Sequence, residues 1–228
     1  LKRTKKKTEQ AKFTYLVLAA LFITALVSCN LIANKFVLVD LGFYEFKLSA
    51  GVLPYPLTFL ITDILSEIYG RRKTNQVVIA GFFASLLVLL ILFLGGSFNA
   101  IETSPVSDEA YGMVFQNSGR IIMASMLAYL VAQFVDVRVF HFWKRTTKGK
   151  HLWLRNNFST VFSQLLDTIL VTVVIFFGKQ NVGFISDLVV DGWFFKVLCA
   201  LVDTAIIYLI VYLIRRYFSL KVNEELPI

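Results

Sequence analysis

A helical membrane protein that crosses the bilayer six times is what this sequence predicts, and three observations carry that expectation. Of 228 residues, 57% are hydrophobic and only 17% charged, with 22 phenylalanines among them, a composition outside the range of ordinary soluble domains. Six apolar runs lie along the chain, Phe13 to Asn34, Leu48 to Tyr69, Val77 to Gly96, Gly119 to Phe140, Phe158 to Gly178, and Trp193 to Ile214. Each is close to the length of about 20 residues that spans a bilayer as a helix. The basic residues, finally, gather in alternate connections between the runs.

That alternation fixes the expected topology. The amino end carries Lys2, Arg3, Lys5, Lys6, Lys7 and Lys12, and the connection after the second run carries Arg71, Arg72 and Lys73. Lys144, Arg145, Lys148, Lys150 and Arg155 follow the fourth run, and Arg215, Arg216 and Lys221 follow the sixth. The other connections hold only Lys35, Lys47 and Lys179, and the one from Ser97 to Ser118 has Glu102, Asp108 and Glu109 with no basic residue. Cytoplasmic loops are the ones enriched in lysine and arginine, so both termini are expected in the cytoplasm. The net charge of +8 then reports topology, and no nucleic-acid partner is expected. One polytopic domain, 1–228, is the expected organisation.

In chain order, the first run ends in Leu26-Val27-Ser28-Cys29, which matches a lipoprotein cleavage box. Losing that run would leave five spans and turn the remaining amino end outward, so the first span is expected to be kept. Asn34 to Lys47 alternates apolar and polar residues, as a short external hairpin or an interfacial segment does. In the second run Gly51, Pro54 and Pro56 interrupt the first half. Proline removes a backbone donor and clashes with the preceding turn, which predicts a kinked or discontinuous helix. Ser97 to Ser118 is expected to be an exposed loop or lid. Cys29 and Cys199 fall inside apolar runs and are expected to be buried thiols. There is no nucleotide loop and no metal-ligand spacing, so neither a metal nor a cofactor is expected. His141 and His151 are expected on the solvated surface of a cytoplasmic connection.

The candidate site is a set of polar residues inside the runs. Asp63 and Glu67 are four apart and share one helix face. Tyr129, Gln133 and Asp136 form a stripe in the fourth run, and Thr160, Gln164 and Asp167 repeat its spacing in the fifth. Asp203 lies in the sixth run, with Asn30 and Asn34 near the end of the first. At 1.5 Å per residue, Asp203 and Asp167 are each roughly 18 Å from the nearest following or preceding basic cluster, and Asp63 roughly 12 Å. A charge at the bilayer centre costs at least about 2.5 kcal/mol, so these acids either face a polar cavity or join helices through hydrogen bonds. Glu67, close to Arg71, and Asp136, close to Arg138, have a second reading as interfacial ion pairs. Tyr55, Phe59 and Tyr129 are expected to be packing residues first. The substrate-binding set is therefore Asp63, Glu67, Gln133, Asp136, Gln164, Asp167, Asp203 and Asn30. No catalytic residue is expected.

The stretch from Gly51 to Gly70, G-V-L-P-Y-P-L-T-F-L-I-T-D-I-L-S-E-I-Y-G, resembles the signature of the queuosine precursor transporter family, also grouped as vitamin uptake transporters. The likeness continues through Ala128 to Val137 and Trp153 to Thr168, and ends at Phe176 to Gly178. It implies a carrier in the bacterial inner membrane that imports a 7-deazaguanine base such as queuine, preQ0 or preQ1 for tRNA modification. It also implies a six-helix fold similar to the substrate-binding subunits of energy-coupling-factor importers. Its partners would be that small molecule and the lipid bilayer, and a homodimer is compatible with the sequence. Aspartate and glutamine suit a guanine-like edge, whose adjacent N–H donors a carboxylate accepts and whose carbonyl an amide satisfies. A substrate-capture subunit that works with a separate ATPase is the alternative carrier, and an intramembrane enzyme with paired aspartates is the alternative outside transport.

Overall fold

The computed structural model describes residues 5–115, 119–176, 181–222 and 224–228. The Phe177-Gly178 end of the family-like motif, Lys179, and the end of the acidic connection at Ser118 lie outside them. Seven α-helices and one two-stranded sheet follow in order: α1 (Lys5–Leu31), β1 (Phe36–Asp40), β2 (Glu45–Ser49), α2 (Pro56–Ile68), α3 (Gly70–Gly95), α4 (Asp108–Phe115), α5 (Gly119–Thr146), α6 (Leu152–Phe176) and α7 (Val182–Phe218). Among the described residues, α1, α3, α6, α7 and the segment Ala50–Ile68 are long and apolar enough to cross a membrane. Helix α5 coincides with the fourth apolar run.

Helix α2 is the hub. All of Thr58 to Ile68 is buried, because α1, α3, α5 and α7 pack around it. The neighbouring helices cover every side of it, its polar residues included. The outer helices differ: α1 buries only Ala11, Phe22, Leu26 and Cys29, one stripe facing inward, and turns the rest of its surface outward.

The proline-rich start of the second run behaves differently from a kinked span. Leu48 and Ser49 belong to β2, a short 3-10 turn covers Ala50–Val52, and the helix begins only at Pro56. Proline at the first helical position loses nothing, since its missing N–H would be unpaired there anyway. So Pro56 starts a half-length helix of 13 residues, about 20 Å long. The 3-10 turn is pinned by the Ala50 amide donating to the Lys35 carbonyl at 2.7 Å and by Ser49 Oγ donating to the Ala33 carbonyl at 2.6 Å.

At its other end α2 turns directly into α3 at Tyr69 and Gly70. Gly70 has φ +79°, and a Cβ there would run into the Glu225 carboxylate. The Tyr69 hydroxyl donates to the Ala11 carbonyl at 2.9 Å, and its ring meets Tyr15 edge-on with centroids 5.2 Å apart. The alternating segment after α1 is the antiparallel hairpin β1–β2, with Phe36 opposite Ser49 and Asp40 opposite Glu45. It lies on α7, where Phe46, Leu48 and Phe195 form a small cluster and Tyr44 donates to Asp191 at 2.7 Å. The acidic connection carries α4 within it. Helix α7 runs for 37 residues, about 55 Å, starting eleven residues before Trp193 because Asn181 caps it by accepting from the Phe184 amide at 2.7 Å.

The chain end folds back. The Leu226 amide donates to the Ile68 carbonyl at 2.7 Å, and Leu226 is buried in the same core as α2.

Gly70 and Gly42 share nearly the same left-handed backbone, φ +79° and +80°, but only Gly70 is crowded. Alanine at a positive φ destabilises by more than about 1 kcal/mol. Thermal unfolding in detergent is therefore expected to show a larger fall in Tm for Gly70→Ala than for Gly42→Ala, the excess reporting the displaced Glu225.

Candidate functional site

Four residues of α2 and its entry, Tyr55, Phe59, Asp63 and Glu67, recur every four positions and form one stripe about 18 Å long. They face α5, α6 and α7, and the polar side chains there sort into three layers.

The layer at Tyr55 is a closed ion pair. Lys196 Nζ on α7 donates to Asp167 Oδ2 at 2.9 Å and to Thr168 Oγ1 at 3.1 Å, both on α6. The same ammonium stands 4.6 Å from the centre of the Tyr55 ring, and the Tyr55 hydroxyl donates to Asp167 Oδ1 at 3.3 Å. Both oxygens of Asp167 are thus engaged.

The layer at Glu67 is also closed. Its carboxylate accepts from Arg215 of α7 and forms an ion pair with Arg155 of α6 at 2.6 Å, and Lys144 of α5 stands 3.7 Å away. Arg155 is 1% exposed, too deep for solvent to screen it. An acid in the last turn of a helix faces the negative end of the helix dipole, which these cations offset. Lys144 also donates to the Ser66 and Glu67 carbonyls at 3.2 and 3.1 Å. With Tyr69 N–H on Leu65 and Leu226 N–H on Ile68, all four carbonyls left open at the end of α2 have donors.

The middle layer is different in kind. Asp63, Gln133, Asp136 and Gln164 are 1%, 0%, 0% and 2% exposed. Among the described residues, neither oxygen of Asp63 and neither amide atom of Gln133 or Gln164 has a hydrogen-bond partner. Asp136 accepts from Ser163 Oγ at 3.0 Å through one oxygen, and its carboxyl also faces that of Asp63. A buried polar atom left unpaired costs about 1–3 kcal/mol, and native interiors keep few of them. One carboxyl and two primary amides without partners, with a second carboxyl beside the first, make this layer the candidate for holding a polar molecule. Phe59 supplies an aromatic face on the same stripe, 5.7 Å from Tyr55 centre to centre.

A cavity of about 10 Å³ opens beside this layer, lined among others by Phe59, Thr160, Gln164, Lys196 and Asp203. That is the room one water needs. Asp203, half-buried, borders the cavity rather than the middle layer, and Asn30 is exposed on α1.

Several expected roles change in this geometry. Glu67 pairs across the bundle instead of with Arg71, because the turn at Gly70 sends Arg71 onto α3. Asp136 does not pair with Arg138, which lies 200° further round α5 and is exposed. His141 is 7% exposed, so it is interior and not surface, while His151 is exposed. Lys196, Arg155, Lys144 and Arg215 went unrecognised as interior groups. A lone lysine in the apolar run from Trp193 was the available signal for the first; the other three were indistinguishable from loop charges.

A sequence model of the family described as "Putative vitamin uptake transporter" matches residues 49–210. A protein of Bacillus subtilis named "Probable queuosine precursor transporter" is 33% identical over 147 residues, 64% of this chain and 64% of its own. A second protein of that name, from Haemophilus influenzae, is 28% identical over 60% of this chain and 56% of its own. "Queuosine precursor transporter" of Escherichia coli is 27% identical over 75% of both. The chain thus spans less than two thirds of the first two relatives. No solved structure matches it.

Breaking a buried ion pair from one side costs about 3–5 kcal/mol, since the other charge stays behind. Glu67→Gln, which strands Arg155 and Arg215, is expected to lose stability of that order in chemical unfolding of the purified protein. Glu225→Gln, removing a half-exposed partner 3.5 Å from Lys144, is expected to lose less than about 1 kcal/mol.

Proposed function

Since the chain belongs to the vitamin uptake transporter family, we propose that it imports a queuosine precursor, a 7-deazaguanine base, across the bacterial inner membrane for tRNA modification. The supporting observation is the middle layer. A guanine-type edge presents adjacent N–H donors from the ring and the exocyclic amine, and Asp63, whose carboxyl faces that of Asp136, offers acceptor oxygens at 1% exposure. The ring carbonyl needs donors, which Gln133 and Gln164 carry on their unpaired amides. Such charge-assisted pairs are about twice as strong as neutral ones. Phe59 gives the flat ring a face to lie on.

Movement follows from the same layers. A cavity of about 10 Å³ is far too small for a bicyclic base, and the ion pairs at the Tyr55 and Glu67 layers lie to either side of Asp63 along α2. Release toward either side requires one ionic layer to part while the other holds. Helix α2, half-length and linked through a turn at each end, is the element that rocks, as broken helices do in carriers with a site near the bilayer midplane. Helix α5 completes a set of six spans with both termini cytoplasmic, and transport rather than catalysis is the activity.

Three outcomes test the proposal. In proteoliposomes the purified chain alone takes up labelled base; uptake only with an added ATPase module would make it a capture subunit. Asp63→Asn sets an amide donor against a ligand donor, and loss of a hydrogen bond to a charged group, about 1.5–3 kcal/mol, lowers affinity roughly ten- to a hundredfold. Ligand titration beside Tm separates this from misfolding. Tags at the amino terminus and at exposed Lys150 stay protected from an impermeant label in intact cells, while one at Ser104 reacts.

A further inference from the structure

Lys196 occupies a place that has the make-up of an ammonium-binding site. Its Nζ meets a carboxylate at 2.9 Å, a hydroxyl at 3.1 Å and an aromatic face at 4.6 Å. A carboxylate and a ring face are the groups that recognise a cationic amine in a ligand. Here the chain's own side chain fills the box and, at 5% exposure, is held inside it. Lys196 and Gln164 line the same small cavity, so the box adjoins the unpaired amides of the middle layer. Asp63 and Tyr55 are eight residues apart, about 12 Å along the stripe. A bicyclic base held by its N–H edge at Asp63 therefore directs a substituent on its five-membered ring toward the Lys196 end.

We infer that Lys196 is a specificity residue, a tethered ammonium that makes the carrier select deazaguanines with an uncharged substituent over those bearing a cationic arm. The inference rests on the base site proposed above. A protonated arm entering beside Lys196 finds Asp167 already neutralised by Lys196 and Tyr55, and meets a like charge in a low-dielectric interior. Repulsive elements of this kind are how sites reject close relatives of a ligand. A neutral nitrile or a bare ring hydrogen meets no such opposition, and an acceptor nitrile gains a donor from the ammonium.

The test is binding of 7-cyano-7-deazaguanine and 7-aminomethyl-7-deazaguanine to the purified chain in detergent, with Tm recorded for every variant. The wild type is expected to bind the cyano base at least about tenfold more tightly. Lys196→Met leaves Asp167 and Tyr55 free for the ligand's ammonium, so it tightens the aminomethyl base about tenfold or more and narrows or reverses the preference. Lys196→Gln, which keeps a donor to Asp167 without the charge, moves the ratio in the same direction and covers the case in which the methionine variant does not fold. Equal wild-type affinities, or an unchanged ratio in a folded Lys196 variant, overturn the role of Lys196 while leaving the base site intact. Failure of the wild type to bind either base overturns the base site itself, and this inference with it.

Discussion

A carboxylate at the buried end of a buried helix is the constraint that the rest of the bundle answers. Glu67 lies in the last turn of α2, where the helix dipole opposes its charge and lipid-like surroundings deny it water. The fold responds by bringing a cation from each of α5, α6 and α7 to that point. Because these cations sit on three different helices, one acidic side chain sets how the three pack against the hub. The returning tail completes the arrangement, placing Leu226 against the α2 terminus and Glu225 beside Lys144. Removing Glu67 or Arg155, each 1% exposed, leaves charge unpaired where solvent cannot repair it.

The contrast between layers is what separates support from function. At Tyr55 and at Glu67, every acid has an internal cation, so those layers are stable as they stand and resist opening. Between them, Asp63, Gln133 and Gln164 are as deeply buried yet lack partners among the described residues. On the reading proposed above, the carboxyl of Asp63 and the amides of Gln133 and Gln164, which no internal cation meets, are where a polar guest sits. The guest's hydrogen bonds there replace those it makes to water, and its identity is read by which donors and acceptors are left over.

Much of this was legible in the residues. Apolar runs located the helices, alternation of side chains after Leu31 located the hairpin, and spacing of three and four put Asp63 with Glu67 and Gln133 with Asp136 on common faces. Helical periodicity speaks only of one helix at a time, however. It could not tell that Glu67 meets Arg215, 148 residues away, in place of nearby Arg71. Counting basic residues for topology treats every lysine and arginine alike, so Arg155 and Lys144 read as loop charges though both point inward. Of the two forms the prolines predicted, kinked or discontinuous, the second is found, since Pro56 is as well suited to the first position of a helix as it is unsuited to the interior.

The distance in sequence between Glu67 and its partners has a consequence for how the chain is built. Ribosomes add roughly 5–20 residues per second, so Arg215, 148 residues later, is synthesised roughly 7–30 s after Glu67. A 13-residue helix is too short to cross a hydrocarbon core of about 30 Å by itself. During that interval Glu67 is without Arg155 and Arg215, and the cations nearest to it in sequence are Arg71, Arg72 and Lys73. Those three residues have no part in the finished ion cluster, so the charge partners Glu67 has early in synthesis differ from the ones it keeps.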